Sequence, residues 1–111
     1  MSQNINFSYA GKDYVLEYNR TAIKTMEKQG FELESFEKKP MTMVDIAFEG
    51  AFIKNHSNIS RATVEEIYSL FKDKKALIKE LIIMIQETYS TLFDDENDGE
   101  DESKKIDWKI G

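Results

Sequence analysis

Near its N-terminus the chain changes hydrophobic period, and that change restricts its fold more than any other feature. Ile5, Phe7 and Tyr9 alternate with polar residues, the run Ala10, Gly11, Lys12, Asp13 supplies a turn, and Tyr14, Leu16 and Tyr18 alternate again. From Ala22 onward the apolar residues recur at three- and four-residue spacing, the period of a helix face. Strand period first and helix period afterwards predicts an α+β fold with an N-terminal β-hairpin packed on about four helices. A two-stranded ribbon is marginal in water, so its aromatic face must be covered by helices of the same chain or by another chain. Both ribbon edges are potentially open at this level of reading.

Asn19 or Thr21 can cap a first helix carrying Ala22, Ile23 and Met26, and Gly30 is placed to end it in the left-handed conformation. Phe31, Leu33 and Phe36 then fall in an irregular connector. Pro40 suits a first turn, and Val44, Ala47, Phe48, Ala51 and Phe52 follow on one face of a second helix. Met43, Ile46 and Ile53 add apolar surface on other sides, so this helix is expected to be central, with Gly50 and Ala51 permitting close approach. Thr63 with Glu66 fits a capping box for a third helix bearing Val64, Ile67, Tyr68 and Phe71. Asp73 can cap a fourth, with Leu77, Ile78, Leu81, Ile82, Ile85, Tyr89 and Leu92 on one broad face. At 1.5 Å per residue that helix should run about 19 residues, or near 28 Å.

The 111 residues argue for one domain, and 41% apolar with 32% charged residues describes a soluble chain with a real core. Charge divides that chain unevenly. Residues 1–93 hold 12 Lys and Arg against 13 Asp and Glu, whereas residues 94–111 hold 3 Lys against 8 acids. The run 94–102 contains no apolar residue and repels itself, so the expectation is a folded body over 1–93 and a disordered acidic tail over 94–111. The tail ends on Ile106, Trp108 and Ile110 alternating with Asp107 and Lys109, a strand-period apolar segment. Such a segment can add a strand to a partner's open edge or fold back on its own hairpin. The longest uninterrupted apolar run, residues 81–85, is far short of a bilayer span, and no signal peptide is readable.

Chemistry is sparse. There is no cysteine and one histidine, so a zinc site would need three or more carboxylates, and no such cluster is readable. His56 beside Ser57 reads as a polar loop between helices, since sequence neighbours do not make a triad. Five scattered glycines form neither a phosphate-binding loop nor a dinucleotide fingerprint. The acids of 94–102 do not follow EF-hand spacing, and a near-neutral body lacks the basic footprint of a nucleic-acid binder. The reading is a non-enzyme with no cofactor, no metal, no nucleic-acid partner and no membrane span. Ile83 and Met84 broaden the apolar surface of the fourth helix beyond one stripe, which suits core burial as well as partner contact. With Phe93 they are candidate partner contacts, and Ile106, Trp108 and Ile110 form a second candidate docking element.

Three stretches together carry a resemblance. They are the opening from Phe7 through the Ala10-Gly11 turn to Tyr18, then Thr21 to Met26 with Glu27, Lys28, Gln29, Gly30 and Phe31, then Lys39-Pro40-Met41-Thr42-Met43 with Ala47-Phe48-Glu49-Gly50-Ala51-Phe52. The chain resembles a family of small proteins encoded among the tail genes of tailed phages and prophages of Gram-positive bacteria. The likeness continues through Glu65, Glu66, Ile67 and Tyr68 to Leu92 and extends to an acidic tail with a late Trp. It is a dispersed pattern without a catalytic signature, so it implies a role and no residue-level contacts. That role is the siphophage tail assembly chaperone, a helix-rich protein of the host cytoplasm, absent from the finished virion, that holds the tape measure protein soluble. The resemblance further implies recruitment of tail tube subunits, self-association, and a longer form made by translational frameshifting. The second and fourth helices would offer apolar contact surface and the acidic tail solubility. A rival from another class is an acidic inhibitor or nucleic-acid mimic that occupies the basic groove of a host nucleic-acid enzyme.

Overall fold

The computed structural model describes residues 4–93 and 109–110. Strands β1 (Ile5–Tyr9) and β2 (Lys12–Leu16) pair antiparallel, and helices α1 (Arg20–Lys28), α2 (Pro40–Gly50), α3 (Arg61–Leu70) and α4 (Lys74–Phe93) follow, with one 3-10 turn at Leu33–Ser35. The α+β expectation of a hairpin on four helices therefore holds, while the expectation of a disordered tail over 94–111 lies outside the described residues except at Lys109 and Ile110. Among the described residues no helix is long and apolar enough to cross a membrane.

The hairpin turn is tighter than expected. Ala10 and Gly11 alone form it, with φ of 53° and 78°, while Lys12 and Asp13 already pair with Tyr9 and Ser8. Two consecutive positive φ values match the right-handed twist of the flanking strands, which is why two-residue hairpins select this turn. Phe7 stacks on Tyr14 at 5.1 Å, and both rings meet Phe52 edge-on. Phe71 and Phe48 continue the aromatic cluster from the other side. Each such pair adds about 0.5–1.5 kcal/mol beyond the area it buries.

Asn19 caps α1, its side chain accepting the Ala22 N–H at 2.8 Å. Gly30, at φ 102°, ends that helix with the two bonds of a Schellman motif, Gly30 N–H to Glu27 C=O and Phe31 N–H to Met26 C=O. Helix α2 is central as expected: Met43, Val44, Ile46, Ala47, Phe48 and Gly50 are all buried, and α1, α3 and α4 all touch it. Its expected role as contact surface does not survive that burial, since only Met41 in its first turn is an exposed large apolar residue. A Cβ on Gly50 would overlap Sδ and Cγ of the fully buried Met26, so the α1–α2 crossing depends on that glycine.

Two further boundaries differ from expectation. Helix α3 starts earlier, with Ser60 as its cap accepting the Thr63 N–H at 3.1 Å, so the expected Thr63–Glu66 capping box is not used. Phe71 lies just past its end rather than on its stripe. Helix α4 opens after Asp73, whose carboxylate accepts the Ala76 N–H at 3.2 Å, and it runs 20 residues.

Candidate interaction surfaces

The hairpin is fastened to the body mainly along β2. The register puts Val15 in a pair whose N–H and C=O point away from β1. Its N–H donates to Nε2 of His56 at 3.0 Å and its C=O accepts from the Asn55 amide at 3.1 Å. One step along, Glu17 N–H donates to Ala51 C=O at 3.1 Å, and the Glu17 carboxylate meets the Asn55 amide and the Lys54 ammonium. The Asn55 hydrogen bond first, and Lys54 with it, hold the Glu17 carboxyl below its ordinary value. Residues 51–56 thus cover the outer edge of β2 without being a strand. Tyr18 completes the fastening by donating its hydroxyl to Ala47 C=O at 2.6 Å, and burial pushes that hydroxyl's pKa far up.

This arrangement gives His56 a structural task. Its ring lies 4.9 Å from Tyr14, and its Nε2 is committed as an acceptor to Val15, which places the proton of the neutral ring on Nδ1. Sequence reading treated it as part of a polar loop and missed the contact, because only the tertiary fold brings residues 15 and 56 together. Among the described residues no group of three or more His, Cys, Asp or Glu side chains is placed to hold a metal ion.

Among the described residues, two apolar tracts on the surface stand out. The first is on α4, whose buried residues Leu77, Leu81, Met84 and Ile85 define the side facing the core. Met84 is 2% exposed, so the expectation that it meets a partner is corrected: it belongs to the core. At 100° per residue, Ile78, Ile82, Tyr89 and Phe93 form an adjacent stripe. The first three are half-buried and Phe93 is 81% exposed. Tyr89 stacks on Phe93 at 6.2 Å and donates its hydroxyl to Glu27 at 2.7 Å. Burial, then Glu27, raises the Tyr89 pKa to about 12. Ile83, half-buried, flanks this stripe on the side away from the core. Leu92 sits at the end of the core-facing side and lines a cleft with Tyr18, Asn19, Arg20 and Thr88.

The second tract lies beside β1. Asn6 and Ser8 occupy the pairs whose backbone groups face away from β2, and among the described residues nothing pairs with this edge. A groove of about 480 Å³ runs along it, lined by Phe7, Tyr9, Ile67, Leu70, Phe71 and Lys72. Leu70 is 62% exposed there. Of the expected terminal docking element, Ile106 and Trp108 lie outside the described residues, and Ile110 is 92% exposed.

These observations define a small hairpin-on-helices protein whose notable surfaces are an apolar helix stripe and an open strand edge. The chain belongs to the family described as Domain of unknown function (DUF5055), whose model matches residues 1–111. No curated protein and no solved structure matches the chain.

Proposed function

We propose that this protein is a tail assembly chaperone of a tailed phage or prophage, a non-catalytic and self-associating protein of the host cytoplasm that keeps the tape measure protein soluble and helps bring tail tube subunits to it. The observation that supports this reading best is the α4 stripe of Ile78, Ile82, Tyr89 and Phe93, apolar and incompletely covered. It extends about 22 Å at 1.5 Å per residue, long enough to lie against several turns of another helix. A client made of long amphipathic helices has one apolar stripe to hide until it assembles, and a second helix stripe is its natural cover. The resemblance over residues 7–92 suggests the tape measure protein as the client, and the stripe supports a helix-holding role.

The test is co-expression with the tape measure protein of the same phage. The full chain is expected to keep the client soluble, and Ile82→Glu or Phe93→Glu to lower the soluble fraction several-fold while circular dichroism shows the helices intact. A client that is equally soluble without the chain, or with both folded variants, would overturn the proposal.

A further inference from the structure

The hairpin's two edges are treated unequally. The β2 edge is covered by His56, Asn55 and Ala51, whereas the outward backbone groups of Asn6 and Ser8 on β1 have no partner among the described residues. An open edge beside an apolar groove is the receptor half of strand addition, in which main-chain bonds give affinity and alternate side chains fill pockets. The groove's volume of about 480 Å³ is of the size that takes ligand side chains. The donor half is present in the same sequence. Ile106, Trp108 and Ile110 alternate with Asp107 and Lys109, so one face of an added strand would be wholly apolar and the other polar.

We propose that the β1 edge of one copy receives residues 106–110 of a second copy as an added strand, with Ile106, Trp108 and Ile110 over the groove of Phe7, Tyr9, Ile67, Leu70 and Phe71. One observation favours a second copy over the chain's own segment, and the length of the tether permits it. Within a single chain the described end of the segment, Ile110, stands 92% exposed rather than seated. The twelve residues between Phe93 and Ile106 reach up to roughly 40 Å when extended, enough to cross to a neighbouring copy. Where two copies exchange segments reciprocally, the contact closes on a two-fold axis.

The experiment measures the mass of the full chain by sedimentation across a concentration series, with the fluorescence of Trp108, the only Trp, read in parallel. Association with a blue shift is expected, with the dissociation constant rising at least tenfold in Leu70→Glu and in Trp108→Ala. Mixing those two variants should restore a one-to-one complex, because one retains the segment and the other the groove. Ser8→Pro, which removes an outward N–H that the hairpin does not use, is a further variant should Leu70→Glu fail to fold. A chain that stays monomeric, an association indifferent to these substitutions, or a blue-shifted Trp108 in a concentration-independent monomer overturns the proposal. None of these variants touches the α4 stripe, so client holding and self-association fail separately.

Discussion

His56 stands in for a neighbouring strand. Its Nε2 and the Asn55 amide satisfy the outward groups of Val15 that a third strand would otherwise pair. Replacing His56 by Ala leaves a partly buried N–H without an acceptor and is expected to cost about 1–3 kcal/mol in urea unfolding. Tyr18 makes a complementary prediction. Its pKa is raised by burial, and that of Tyr89 is raised to about 12, so the folded chain keeps phenolic protons that the unfolded chain releases near pH 10. Where the folded state binds more protons, stability falls with rising pH. The contribution is therefore complete below about pH 10 and declines above it. Tyr18→Phe should cost about 1 kcal/mol at neutral pH, because Ala47 C=O keeps its bond from Ala51 N–H, and should flatten part of the alkaline decline seen in the unfolding midpoint. None of these contacts could be read from sequence: alternation shows that Tyr14 and Tyr18 face inward, but not which carbonyl or imidazole they meet.

At the scale of elements, turn and crossing geometry make the sharper predictions. Ala10 holds φ 53° in the hairpin turn, a region that costs an L-residue with a Cβ about 1–2 kcal/mol, so Ala10→Gly is expected to raise the thermal midpoint. Gly50→Ala should do the reverse by about 1–3 kcal/mol, since the new methyl overlaps Sδ and Cγ of the buried Met26, which must shift within the core. The helices themselves were legible, as were Asn19, Gly30 and Pro40 at their ends, because capping and backbone preference are local. The start of α3 was not. Ser60 and Thr63 are both acceptable caps in isolation, and the choice follows from where the chain leaves the loop after His56. The faces of α4 were legible only in part, for the same reason. Its apolar residues spread over more than half the circumference, and sequence alone groups Ile78 and Tyr89 with Leu77, Leu81 and Ile85 on one broad face while leaving Met84 outside that stripe. Packing against α1 and α2 rotates the buried side to Leu77, Leu81, Met84 and Ile85.

Among the described residues the central helix is spent on the core apart from Met41 in its first turn, and most of the remaining apolar surface lies beside β1 and along α4. The proposed self-association and the proposed client holding need two such surfaces that do not overlap, and the strand edge and the helix stripe differ in element, chemistry and mode of docking. The measurement that tests the central claim most directly places a photo-crosslinking residue at Phe93 of the full chain, in cells making the complete set of phage tail genes. Mass spectrometry then identifies the captured protein. The expected product is a cross-link to a very long helical phage protein, weakened by Ile82→Glu. A cross-link to a host nucleic-acid enzyme, or none to any tail protein while the tape measure protein is present and soluble, would contradict the chaperone reading.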